Sequence, residues 1–279
     1  MNTKIKKVQL LPNVITAFGL TCGVFVILKM CMATPGAVDA NLLVKTAAIL
    51  VFAAIADLLD GAIARAMRAE SEFGGLFDSL ADAVTFGVAP AVIVVKTLSV
   101  QEGTELSFLL TAAAMIFTVC GILRLVRYNV TAIEIKDNEE LLAASKKNFT
   151  GLPIPAAAGA AVSLNLILVT QPFSGWIETG NIMHVVVAAF TLLILGYLMI
   201  SRWRFPSMKT LRFRVGSFQA VFLSVIIAVV IFYGILHHFA WSLFIVTWGY
   251  IAVAIVLSLI RMIAGRRANS LADYDPEDD

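Results

Sequence analysis

Three cysteines among 279 residues, odd in number and all set in apolar stretches, give no disulfide framework and fit no metal-ligand spacing. Cys22, Cys31 and Cys120 are therefore read as packing residues. Charged side chains are scarce as well: 14% of the chain, with a net charge of +2, against about 25% in an average soluble domain. This scarcity excludes an ordinary soluble enzyme, a disordered chain and a nucleic-acid binder, so no nucleic-acid partner is expected. An internal repeat is also missing, and with it the inverted-repeat signature of many transporters. What the chain has in excess is apolar surface. It is 59% hydrophobic, with a mean hydropathy of +0.89, the balance of a polytopic membrane protein.

A membrane-spanning helix needs roughly 20 mostly apolar residues. Eight runs qualify, near 11–33, 42–66, 76–97, 107–130, 154–171, 183–201, 216–236 and 240–263. Their apolar residues are continuous rather than alternating, which favours helices over a barrel. The fold class expected is an all-α integral membrane protein, a helical bundle with about eight spans. Eighteen of the 21 basic residues fall on one side of this layout, and only Lys29, Lys45 and Lys96 lie toward the other. The excess places both termini and the basic loops in the cytoplasm, in a multi-pass protein of the cell membrane. The first run is longer than the usual ~7–15 apolar residues of a cleaved leader, and Pro12 and Asn13 interrupt its start, so it is read as a retained helix. Residues 1–10 read as a basic amphipathic cytoplasmic segment and 266–279 as an acidic cytoplasmic tail.

The informative stretch is DLLDGAIARAMRAESEFGGLFDSLAD, residues 57–82. An ionised Asp at the centre of a span costs about 2.5–3.5 kcal/mol on insertion scales, less near an interface. Asp57, Asp60, Asp78 and Asp82 together need something to neutralise them. At about 100° per residue, Asp57, Asp60, Gly61, Ala64 and Arg65 share one side of the second span. Asp78 and Asp82 stack one turn apart on the third, with Gly74 a turn earlier. Four carboxylates facing one cavity, without His or Cys nearby, suit hard divalent cations. Two such ions fit four carboxylates better than one, and paired metals recur where phosphorus is the centre of displacement.

The pattern Asp57-x2-Asp60-Gly61-x2-Ala64-Arg65-x8-Gly74-x3-Asp78-x3-Asp82 resembles, at every fixed position, the signature of the CDP-alcohol phosphotransferase family. The resemblance implies a six-helix core over residues 11–214, with a cytoplasm-facing cavity in which the four Asp residues hold two divalent ions, Mg2+ or Mn2+. Residues 215–265 would then be two additional spans. It also implies that Gly61, Ala64, Arg65 and Gly74 shape the nucleotide site, with Asn13 and Thr16 as neighbours.

Softer motifs are similar to the serine-using branch of that family in bacteria and archaea. They are Pro12-Asn13-x2-Thr16, the run Phe77–Pro90, Arg124-Leu125-Val126-Arg127-Tyr128-Asn129, Phe149–Pro155 and Phe205–Lys209; Val126 and Tyr128 stand where Ala and Phe are expected. The implied reaction moves the phosphatidyl group from CDP-diacylglycerol to L-serine and releases CMP. Asp82 is the candidate general base for the serine hydroxyl. Arg124 or Lys209 would meet the serine carboxylate, with Asn129 lining the same pocket. Expected partners are the two substrates, membrane lipids and a second copy of the chain in a homodimer. Choline, glycerol phosphate or inositol phosphate as acceptor, or CDP-archaeol as donor, are alternatives within the family. A carboxylate-based cation transporter is the alternative outside it.

Overall fold

The computed structural model describes residues 10–34, 38–67, 69, 71–98, 100–101, 103–134, 148–169, 182–201, 204–206, 234 and 237–264. The helices are α1 (Leu10–Met32), α2 (Ala40–Ala66), α3 (Glu72–Asp82), α4 (Ala89–Leu98), α5 (Glu105–Glu134), α6 (Ile154–Val169), α7 (Ile182–Ile200) and α8 (Phe239–Ala264). Between α3 and α4, residues Ala83–Val88 form a π-helical turn, so the three pieces make one span from Glu72 to Leu98. Six spans among the described residues are long and apolar enough to cross a membrane. The 16-residue α6 is shorter, and eleven of its side chains are buried. Apolar on every side, it is the central helix of the bundle. The expected seventh span, 216–236, lies outside the described residues apart from Gly234.

Predicted edges for the first, second and sixth spans fall within two residues of the observed helices. The third begins earlier than its apolar run, at Glu72, because Ser71 caps it: its hydroxyl accepts from the Gly74 amide at 3.0 Å. Asp39 caps α2 in the same way, accepting from Leu42 N at 2.8 Å.

The π turn has a local cause. Pro90 has no amide hydrogen and its ring crowds the carbonyl four residues back. The widened turn just ahead bonds Ala89 N–H to Val84 O instead. A neighbouring helix supports the altered backbone, since Thr118 of α5 donates to Gly87 O at 3.0 Å.

One core joins α5, α6, α7 and α8 around Phe117, Leu152, Ile154, Leu192 and Leu195. A second joins α1, α2, α4 and α6 around Val26, Met30, Leu43, Ile93 and Leu166. Large apolar side chains such as Phe18, Phe52, Leu58, Phe108, Met115 and Phe190 point outward, as a lipid-facing surface requires. Cys120 is buried and Cys22 packs against the same apolar cluster, but Cys31 is exposed, so the packing role fits only two of the three cysteines.

A short antiparallel ribbon adds what a purely helical reading omits. Strand β1 (Asn148–Thr150), before α6, pairs with β2 (Arg204–Pro206), after α7, with Phe149 opposite Phe205. Two motifs far apart in sequence thus meet. Gly151 follows at φ +81°, and a Cβ there would collide with the Met199 carbonyl oxygen.

Candidate metal centre

α2 presents Asp57 and Asp60 near its C-terminal end, and α3 presents Asp78 and Asp82. Carboxylate oxygens of Asp57, Asp60 and Asp78 lie within 4.8 Å of one another. Like charges that close repel by on the order of 3 kcal/mol per pair at an effective dielectric of 20. A set of three hard oxygen donors in that space fits a divalent cation. Asp60 is the most enclosed, 4% exposed. Thr16 of α1 donates its hydroxyl to Asp60 Oδ2 at 2.6 Å.

Asp82 stands apart from this trio. It lies one turn beyond Asp78 and lines the same cleft, which is also lined by Thr16, Gly19, Ala53, Thr85 and Phe86. Among the four carboxylates that line the cleft, Asp57, Asp60 and Asp78 form the close group and Asp82 is their neighbour.

The cleft is closed on one side by an intimate contact between α1 and the π turn. A Cβ at Gly23 would stand 2.5 Å from Thr85 Oγ1, and the Thr85 hydroxyl reaches Gly19 O at 3.4 Å. Gly19 and Gly23 form a Gly-x-x-x-Gly pair, which lets helices approach closely in membranes.

A family model for CDP-alcohol phosphatidyltransferase matches residues 9–193, a stretch holding all four Asp residues and the helices that carry them. The chain belongs to the CDP-alcohol phosphatidyltransferase family. It is similar to a CDP-diacylglycerol–serine O-phosphatidyltransferase of Mycobacterium leprae, 36% identical over 60% of this chain and 50% of that one. The enzyme of the same name from Helicobacter pylori is 30% identical over 80% of this chain and 83% of its own. An archaetidylserine synthase of Methanothermobacter thermautotrophicus is 30% identical over 73% and 72%. The chain spans about half the length of the mycobacterial relatives it matches.

Within this family framework, the expected nucleotide residues gather at the same end of the bundle as the carboxylates. A Cβ on Gly74 would come 3.1 Å from Asn13 Oδ1, so Asn13 sits over the first turn of α3. The Arg65 guanidinium folds back along Gly61, 3.4 Å from where a Cβ would be, and Ala64 is half-buried beside it. Thr16 lines the cleft itself, and its hydroxyl donates to Asp60.

The three expected acceptor residues diverge. Asn129 Nδ2 donates to Ser79 Oγ at 2.9 Å, tying the end of α5 to α3. Arg124 lies within electrostatic reach of Asp82, and its Nε is buried without a hydrogen-bond partner. Lys209 lies outside the described residues. Sequence reasoning missed Gly19, Ala53, Thr85 and Phe86 as cleft residues. The Gly19/Gly23 spacing was the signal that could have found the first and its partner Thr85.

Proposed function

We propose that this chain transfers the phosphatidyl group of CDP-diacylglycerol to L-serine and releases CMP. The observation that carries the reading is the convergence of Asp57, Asp60 and Asp78 within one family signature. The names of the relatives support serine in particular: both the bacterial enzymes and the archaeal one are named for a serine acceptor or product.

Asp57, Asp60 and Asp78, with Asp82 at their margin, would hold two divalent cations, Mg2+ or Mn2+. Bound there, such ions supply positive charge to the pyrophosphate and to the departing CMP. Gly61, Ala64, Arg65 and Gly74 form the floor for the nucleotide, with Asn13 above Gly74. Asp82 accepts the proton of the serine hydroxyl. The serine oxygen then bonds to the lipid-bearing phosphorus, and the bond from that phosphorus to the CMP oxygen breaks. Arg124, within electrostatic reach of Asp82, or Lys209 meets the serine carboxylate.

The same reading sets the core at residues 11–214 and two further spans at 215–265, with termini and site on the cytoplasmic face of the cell membrane. Its support is the one-sided distribution of Lys and Arg. It includes a homodimer, which crosslinking in native membranes tests. The central experiment incubates purified full-length chain with CDP-diacylglycerol and a panel of serine, choline, glycerol 3-phosphate and inositol phosphate. CMP release that requires both serine and a divalent cation is expected. Release with another acceptor alone would sink the serine assignment, and release in the presence of excess chelator would sink the metal assignment.

A further inference from the structure

α8 lies beyond residue 193, where the family match ends, yet it is built into the bundle. Thr247, Tyr250, Ile251 and Ala254 follow the i, i+3, i+4, i+7 spacing of one helix face. Ile251 and Ala254 are buried, and Tyr250 packs against the cluster that includes Leu152 and Ile154. Two polar contacts set the register on α6. Thr247 Oγ1 lies 3.1 Å from Ser163 Oγ, and Trp248 Nε1 donates to Ala160 O at 3.2 Å. Gly159 makes the room, since a Cβ there would stand 2.7 Å from Thr247 Cγ2.

Phe239, Ala240 and Leu243 at the start of α8 pack on the cluster of Val162 and Leu166, and Tyr250, Ile251 and Ala254 on that of Ile154 and Ala157, so the two helices run antiparallel. Residues after Trp248 therefore advance toward the start of α6, where Ile154 Cδ1 would lie 2.8 Å from a Cβ on Gly121 of α5. Arg124 follows Gly121 by three residues, about 4.5 Å along the axis. There it is within electrostatic reach of Asp82, of Tyr128 one turn further along α5, and of Tyr250 of α8. Its buried, unpartnered Nε–H is a costly group to leave unmet away from water, and it marks a place for an anion.

We propose that α8 completes the acceptor side of the site, with Tyr250 as a positioning residue that holds the Arg124 guanidinium toward Asp82 for the carboxylate of an amino-acid acceptor. This rests on the serine reading above. It also gives a purpose to a helix that the family region does not contain.

The test is steady-state CMP release by full-length wild type, Y250F, R124A and the double variant, each titrated separately with L-serine and CDP-diacylglycerol. Removing only the phenolic oxygen should raise the KM for serine by about 3- to 10-fold, the size of one hydrogen bond to a charged partner at the low end. The kcat and the KM for CDP-diacylglycerol should stay within about twofold. In the R124A background, Y250F should add nothing further, because Tyr250 acts through Arg124. An unchanged serine KM in Y250F, or equal effects in both backgrounds, overturns the proposal while leaving the serine reading intact. Wild-type CMP release that does not depend on serine overturns both.

Discussion

The Thr16 hydroxyl and Asp60 Oδ2 are 2.6 Å apart, a bond between α1 and α2 at the least exposed carboxylate of the cluster. It fixes one oxygen of Asp60, so that a cation meets a carboxylate already oriented. Thr16→Val keeps the shape and removes the donor. Losing a hydrogen bond to a charged group is worth roughly 1.5–3 kcal/mol. The Mn2+ concentration for half-maximal activity should rise about 10-fold or more, with activity largely restored at saturating metal. A variant whose metal dependence matches wild type would show that Asp60 needs no such support.

The division of the carboxylates into three and one makes a second expectation. Asp57→Asn, Asp60→Asn and Asp78→Asn should each lose Mn2+ binding, read by isothermal titration, together with turnover. Asp82→Asn should bind the ion at closer to native affinity while turnover falls by about 10²–10⁴, the usual weight of a general base. Equal loss of metal binding in all four variants would make Asp82 a ligand first.

Gly19 and Gly23 differ in what surrounds them. A Cβ at Gly23 would lie 2.8 Å from Thr85 Cα, whereas at Gly19 the nearest atom is Ala53 O at 3.8 Å. G23A should therefore lower the thermal midpoint in detergent, by the equivalent of about 1–3 kcal/mol of overpacking. G19A should be close to neutral. The opposite order would mean that α1 and the π turn are not in contact as described.

Both chain ends are expected on one membrane face. Single cysteines introduced near Asn2 and near Asp275 in a background lacking the native thiols should react with an impermeant maleimide from the same side. Labelling from opposite sides would make the number of spans odd.

Much of this was legible in the sequence because membranes simplify the code. Continuous apolar runs located α1, α2 and α7, and the cost of charge in lipid made four Asp residues conspicuous. Features that depend on pairs of distant residues were not legible. Nothing local in Phe149 and Phe205 shows that they will face each other in a ribbon. Asn129 reads equally well as a pocket residue or as the partner of Ser79 until α5 is set against α3. The π turn was hidden because the apolar pattern runs through it, though Pro90 hinted at a break. Asp82 could not be separated from Asp78 by spacing, since i and i+4 share a face whatever lies across from them.

The π turn at Ala83–Val88 makes the third span two helices on one axis but out of phase. A single such turn absorbs about one residue's worth of rotation, roughly 100°. The acidic end can thus point at α2 while the other half keys into α6, where Asn165 Nδ2 donates to Thr97 Oγ1 at 3.1 Å. A straight helix would have to give up one of those two facings. Deleting one residue from 83–88 would keep the span apolar and unbroken, yet swing Asp78 and Asp82 away from their partners, so this segment sets the site by its length as well as by its side chains.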